Sequence, residues 1–162
     1  MQKWIKELIP YVVIILLVLL FKAFIASPIM VHGTSMDDTL HDHDIMILNK
    51  IGMRLNGIKR FDIVVIQTED TKLIKRVIGL PGEDIEYKDK VLYINGEKVE
   101  DPYENGYTPD IEVTKLYDNE YFVLGDNRGN SLDSSELGPF KKHQIIGKTK
   151  LTIFPFNRIG NK

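Results

Sequence analysis

The chain opens on an apolar block. From Leu8 to Phe21 every residue is apolar apart from Pro10 and Tyr11; Lys22 interrupts the run, and Ala23 to Ala26 extend it. Such a run predicts a helix. From Leu8 to Ala26 it would be roughly 28 Å long at about 1.5 Å per residue, close to the hydrocarbon thickness of a bilayer. After Pro28 the pattern changes. Short apolar runs separated by Gly, Pro, Asn and Asp predict strands at Ile45–Leu48, Ile63–Gln67, Leu73–Leu80, Val91–Ile94, Tyr121–Leu124 and Ile145–Phe154. In "VLYINGEKV" the Asn95-Gly96 pair predicts a tight type I′ hairpin, because both residues tolerate positive φ. "DPYENGYTPD", residues 101–110, reads as the loosest loop outside the apolar block. The predicted architecture is mostly β. A cytoplasmic N-terminus and single transmembrane helix occupy residues 1–27, and an extracytoplasmic β-rich domain occupies residues 28–162.

The flanks of the block set its orientation. Lys3 and Lys6 precede it, so the positive-inside rule puts the N-terminus in the cytoplasm and the β-rich domain outside. Trp4 and Tyr11 suit one interface, and Lys22 can reach the other along its aliphatic stem. A cleaved signal peptide is the rival reading. The apolar core is longer than a usual signal-peptide core, and Ala23-Phe-Ile-Ala26 has the wrong spacing for a small-x-small cleavage site. The expectation is a retained, single-pass anchor in the cell membrane, with the lipid bilayer as a partner.

Charge and composition remove other classes. The formal net charge is −2, and Lys3, Lys6 and Lys22 against Glu7 leave residues 28–162 at −4. A mildly acidic domain has no electrostatic footprint for nucleic acid. The absence of cysteine excludes disulfides, thiol nucleophiles and Cys-ligated zinc.

Three stretches carry candidate chemistry. "HGTSMDDTLHDHD", residues 32–44, packs three histidines and four aspartates around Ser35. A metal site needs three or four ligands with ordered supporting groups, and only His32, His41, His43 and His143 are available as imidazoles. The stretch reads instead as a solvated turn, with no metal and no cofactor. A Ser-His-Asp arrangement fails on reach: His32 is too close in sequence to Ser35, and His143 lies in the polar "KKHQ". The second stretch is "KLIKRVIGLPGE", residues 72–83. On a strand, Leu73, Lys75, Val77 and Gly79 share one face, and Arg76 points the other way beside Ile74 and Ile78. A core-facing amine is lowered in pKa by burial and becomes a candidate general base; a snorkelling or ion-paired lysine is the plain alternative. The third is "GDNRGNSLDSSELG", residues 125–138. Its Asx and hydroxyl side chains form either an ordinary loop or a scaffold in which Asp126, Arg128 and Asp133 lock the chain while Ser131 holds an amine.

Taken together, "GTSMDDTL", "RFDIVVIQ", "LIKRVIGLPGE" and "GDNRGNSLDS", in that order behind an N-terminal anchor, closely resemble the type I signal peptidases. The four blocks span about residue 31 to residue 138. The small insert before the last block resembles the compact Gram-positive form. A lysine at position 75 resembles the bacterial and organellar branch. The resemblance implies a membrane-bound serine endopeptidase that cleaves signal peptides from exported preproteins. It implies Ser35 as nucleophile, Lys75 as general base and Ser131 as the hydroxyl that orients the lysine amine. Met36 would shape the substrate groove, with Asp126, Arg128 and Asp133 as supporting residues. The oxyanion hole would use the Ser35 backbone N–H and position 33. Here that position is Gly33, so only a backbone donor is available. A groove between Ile29–Thr34 and the strand edge at Lys72–Lys75 would receive an extended peptide, with small residues at the −1 and −3 positions.

Three positions depart from the family pattern: Asp38 replaces a proline, Gly129 an acidic residue and Ser135 an arginine. The first is expected to loosen the turn after the nucleophile, and the last to weaken support for Asp133. Neither removes a reacting group. The alternative function is a catalytically silent or metal-binding membrane-anchored β protein of the same fold.

Overall fold

The computed structural model describes residues 2–161, so the Met1 and Lys162 ends of the two expected segments lie outside the described residues. Helix α1 runs over Gln2–Phe24. Its stretch Glu7–Phe24 is long and apolar enough to cross a bilayer, and none of it is buried inside the protein. Burying a large apolar side chain is worth about 1.5–3 kcal/mol, so the bare apolar length of this helix fits the anchor expected from the sequence. At its C-terminal end the Lys50 ammonium donates to the carbonyls of Lys22 and Ala23, at 3.1 and 3.2 Å, and supplies partners for groups a helix end leaves open.

The apolar run reaches Ala26, but the helix does not. Ala26 and Ser27 open strand β1 (Ala26–Met30), where they pair with Asn49 and Leu48 of β2 (Ile45–Asn49). Pro28 is tolerated within β1 because β1 is an edge strand. A short helix α2 (Lys50–Asn56) follows β2, capped by the Asn49 side chain, which accepts from the Gly52 N–H at 2.7 Å. Then come β3 (Ile63–Gln67) and β4 (Lys72–Gly79), which form an antiparallel hairpin. The chain next builds a separate small sheet from β5 (Asp84–Lys88), β6 (Val91–Ile94), β7 (Glu97–Val99) and β8 (Ile111–Lys115), in the order β7-β6-β5-β8. The β6–β7 turn has φ of 52° at Asn95 and 79° at Gly96, the positive pair that a type I′ hairpin needs.

The chain returns to the main sheet with β9 (Glu120–Leu124), the one-turn helix α3 (Ser134–Leu137), β10 (Phe140–Lys141), β11 (Ile145–Phe154) and β12 (Gly160–Asn161). The main sheet runs β1-β2-β11-β3-β4-β9-β10, with β12 beside β11. A mostly β fold with an N-terminal apolar helix is therefore what the chain adopts.

Two features of this sheet position the site. First, β4 pairs with β3 from Lys72 to Arg76, but with β9 only from Arg76 onward. The β9-facing edge at Lys72–Lys75 is therefore free of sheet partners, and β1 is an edge strand. A cleft of about 560 Å³ lies between Pro28–His32 and Lys72–Lys75. Second, Val31, Met36 and Leu40 sink into a core with Met46, Leu48, Ile63, Val65 and Ile74, which pins residues 31–40 onto the sheet.

The stretch 101–110 differs from expectation. It has no regular structure, yet it is tied down, because the buried Arg128 guanidinium donates to Asp101 at 2.6 Å and to Thr108 at 2.7 Å. Its polar composition predicts looseness only if those side chains face water; here several of them face a buried cation.

Candidate active site

Residues 31–44 form a loop closed at its base by backbone hydrogen bonds. Val31 N–H donates to Asp44 at 2.8 Å and His43 N–H to Val31 at 3.0 Å. Inside it, Thr39 and Leu40 N–H donate to the Met36 carbonyl, at 3.1 and 2.8 Å. Met36 and Leu40 are fully buried, so the turn holds Ser35 at the cleft rather than in free solvent. Asp44 is buried beneath the loop, where it accepts from His41 N–H at 3.0 Å and from the Arg158 guanidinium at 2.7 Å.

Lys75 reaches this loop from β4. Its Nζ lies 2.6 Å from Ser35 Oγ, across forty positions of sequence. The lysine is 2% exposed. Burial lowers its pKa below the ordinary lysine value, against the opposing pull of the Asp133 and Asp126 carboxylates. Arg76 points the other way, as strand alternation requires. It meets both carboxylate oxygens of Asp126, at 2.7 and 2.6 Å, and its guanidinium stacks 3.4 Å from the centre of the Tyr103 ring.

The loop after β9 grips the loop that carries Ser35. Asn127 donates its N–H to the Ser35 carbonyl and its side-chain amide to the Thr34 carbonyl, both at 3.1 Å, and the Asn130 amide donates to Thr34 Oγ1 at 3.2 Å. Gly125 permits this approach. A Cβ at position 125 would stand 2.1 Å from Ser131 Oγ and 2.4 Å from the Ser35 carbonyl oxygen. The structure thus packs Ser131 against the back of Ser35. The Ser131 hydroxyl is buried and makes no hydrogen bond, so its bond to the Lys75 amine is not formed here.

Asp133 is buried and accepts from Gly125 N–H at 2.8 Å and from Ser135 twice, through N–H at 3.1 Å and through the hydroxyl at 2.8 Å. Serine at 135 therefore supplies the partner that arginine would have supplied, as a neutral donor. Arg128 bonds neither Ser35 nor Lys75. Besides Asp101 and Thr108, its guanidinium donates to the Tyr87 hydroxyl at 3.1 Å, and so ties the loop to the small sheet. Gly129 lies across from Tyr107, with only ordinary contact space.

Asp38 has φ +83°, a conformation closed to proline, whose ring holds φ near −65°. The turn after Ser35 is therefore a different turn, not a loosened version of a proline one. The Asn105 amide stands over it, donating to the Asp126 carbonyl at 3.1 Å and to Asp38 at 3.4 Å.

Gly33 also has positive φ, +82°, and its N–H donates to the Asp42 carboxylate at 2.9 Å. That bond lowers the Asp42 pKa, and the neighbouring His43, 2.7 Å away, acts in the same sense. His32, His41 and His43 are exposed, and among the described residues no three His, Asp or Glu side chains group as metal ligands.

Arg76, Gly125, Asn127 and Asp42 were not singled out from the sequence. Only Gly125 carried a signal there, as a glycine directly after an apolar strand, which marks close backbone approach. Arg76 and Asn127 are polar residues whose partners lie far away in the chain, and Asp42 meets Gly33 only because the loop closes on itself.

Comparisons with known proteins give the family. A family model described as signal peptidase, peptidase S26, matches residues 1–154. A signal peptidase I from Bacillus amyloliquefaciens is 41% identical, covering 96% of this chain and 89% of its own. Signal peptidase I S from Bacillus subtilis is also 41% identical, over 97% of this chain and 91% of its own. The crystal structure of a signal peptidase I from Enterococcus faecalis superposes with a TM-score of 0.51 at 36% identity, covering 56% of this chain and 95% of that one. The chain belongs to the signal peptidase family, peptidase S26.

Proposed function

We propose that this serine peptidase is a membrane-anchored endopeptidase that removes N-terminal signal peptides from exported preproteins by a Ser35/Lys75 dyad. The observation that carries the reading is the buried Lys75 amine 2.6 Å from Ser35 Oγ. An amine deprived of water sheds its proton more readily, and a neutral amine at that distance can accept the Ser35 hydroxyl proton. Ser35 Oγ then attacks the scissile carbonyl. The negative charge on its oxygen is met by the Ser35 backbone N–H, the protonated lysine returns its proton to the leaving amine, and water releases the acyl-enzyme by the reverse route. Gly33 contributes a second N–H to the oxyanion hole once its bond to Asp42 yields to substrate. The Ser131 hydroxyl, unpartnered in the free enzyme, takes the lysine amine when Ser35 leaves it. Asp126 and Asp133 hold the loop that carries Ser131, and Arg128 braces that loop from the small sheet. No metal or cofactor enters the steps.

The substrate enters as an added strand between β1 and the free edge of β4. Alternate side chains then point into the cleft beside Met36, with small residues at −1 and −3. Residues 1–27 anchor the enzyme with its N-terminus in the cytoplasm and residues 28–162 outside. Enzyme and membrane-held substrate then share one surface, which raises their effective concentration.

The test incubates the detergent-solubilised chain with a labelled preprotein and sequences the new N-terminus. Cleavage after a small residue is expected, with complete loss in Ser35→Ala. Cleavage that survives Ser35→Ala would discard the reading, and loss with a chelator would favour a metal mechanism.

A further inference from the structure

The stretch between β7 and β8 is tied at both ends to one buried cation. The Arg128 guanidinium meets Asp101 at 2.6 Å and Thr108 at 2.7 Å. Within that span the Tyr103 N–H donates back to the Asp101 carboxylate at 3.0 Å. Residues 102–105 are thereby held against the main sheet, and two of their side chains reach it. The Tyr103 ring lies over the Arg76 guanidinium, 3.4 Å from the guanidinium carbon to the ring centre. The same ring packs on Phe61, 5.8 Å between centres, and the Phe61 carbonyl accepts from Arg76 at 2.8 Å. The Asn105 amide donates to the Asp126 carbonyl at 3.1 Å and to the Asp38 carboxylate at 3.4 Å.

The three residues met in this way belong to three separate segments. Arg76 follows Lys75 on β4, Asp38 lies in the turn after Ser35, and Asp126 belongs to the loop that grips Ser35. Arg76 itself reaches the other two segments, at Thr39 Oγ1 over 3.3 Å and at Asp126 through two bonds. Asp38, Thr39, Tyr103, Asn105 and Asp126 line one hollow of about 240 Å³ at this junction. Among the described residues none of 101–110 lines the cleft between Pro28–His32 and Lys72–Lys75. The stretch therefore touches the junction and not the cleft.

We propose that Tyr103 and Asn105 are positioning residues, which clamp these three segments together and so hold Ser35 Oγ within reach of the Lys75 amine. The inference rests on the Ser35/Lys75 reading. Ser35 and Lys75 lie forty positions apart on different segments, and a shift of either by the order of 1 Å is enough to slow proton transfer. The Tyr103 ring also shields the Arg76–Asp126 pair from water. With the ring gone, water competes for the pair and Arg76 neutralises Asp126 less completely. Asp133 and Asp126 are the carboxylates that pull the Lys75 pKa upward against burial, so a freer Asp126 pulls it further up.

The test assays the full chain in detergent with a labelled preprotein over a range of pH, alongside thermal melting. Tyr103→Ala and Asn105→Asp are each expected to lower kcat roughly 10-fold at an unchanged KM. The kcat profile of Tyr103→Ala is expected to rise at higher pH than that of the parent. Tyr103→Phe keeps the ring and is expected to restore both the rate and the profile. Asn105→Asp replaces a donor by a carboxylate beside the Asp38 carboxylate and the Asp126 carbonyl. Asn105 is exposed, so this variant decides the point if Tyr103→Ala fails to fold. Parent kcat in either variant overturns the inference. A raised KM at parent kcat also overturns it, because that marks a substrate contact. So does a lower kcat in Tyr103→Ala with the parent pH profile, which marks a role in stability alone. Cleavage that survives Ser35→Ala in the same assay removes the dyad reading instead, and the inference with it.

Discussion

Arg76 and Asp126 close on each other through two parallel hydrogen bonds, at 2.7 and 2.6 Å, with both side chains buried. Arg76 is the neighbour of Lys75, so this pair ties the strand carrying Lys75 to the loop that grips Ser35. Removing one partner of a buried pair leaves a charge without compensation and costs about 3–5 kcal/mol. Asp126→Ala is expected to lower stability by that amount in chemical denaturation. Arg76→Lys is expected to lose part of it, because a lysine cannot bond both oxygens or stack on Tyr103.

Lys75 couples activity and stability to pH. Burial lowers its folded pKa beneath the ordinary value of 10.5, so between the two values the unfolded chain binds more protons than the folded one. Stability from this residue therefore rises with pH across that window, and the full cost of burying the amine is felt below it. Cleavage rates in pre-steady-state assays are expected to rise with pH through the lowered pKa. Lys75→Met is expected to abolish cleavage yet melt at higher temperature near neutral pH. That gain amounts to about 1.4 kcal/mol for each unit of depression and fades toward pH 10.5. A variant less stable at neutral pH would contradict a buried, depressed amine.

At Gly125 the expected effect is geometric. An added methyl would collide with the Ser35 carbonyl oxygen and with Ser131, and the first of these is backbone that cannot rotate away. Displacing Ser35 by the order of 1 Å is expected to reduce kcat about 100-fold in Gly125→Ala. Circular dichroism of the same variant checks that the sheet is retained.

Asp38 tests the turn after Ser35. Asp38→Pro forces φ from +83° to a negative value and is expected to destabilise the domain by more than about 1 kcal/mol in thermal unfolding. Asp38→Asn, which tolerates the left-handed conformation, is expected to stay near the parent. Equal melting of the two variants would mean that the loop reorganises freely.

Much of this protein was legible in one dimension. The strands Ile63–Gln67, Val91–Ile94 and Ile145–Phe154 and the Asn95-Gly96 turn all rest on local pattern, and the structure has them at those bounds, while the apolar block forms a helix that ends at Phe24, short of Ala26. Strands β1, β5, β8 and the two-residue β10 and β12 were not predicted. In β5 only Ile85 and Tyr87 turn inward, too few apolar positions to stand out from a polar segment. Pro28 and Ser27 disguise β1, whose strand character comes from its pairing with β2.

Sequence alone determined the apolar helix ahead of a mostly β domain, the alternation that sets Lys75 and Arg76 on opposite faces of β4, and the resemblance to the family, because ordered motifs and periodicity are properties of neighbours along the chain. Tertiary structure decided which side chains meet. It chose Asp126 for Arg76, Asp101 for Arg128, Ser135 for Asp133 and Asp42 for Gly33. Charge and hydrogen-bonding capacity name only the type of partner a residue needs. Which carboxylate or amide fills that need depends on sheet register and on the few ångströms left between backbones, as at Gly125, and neither is encoded in the spacing of any motif.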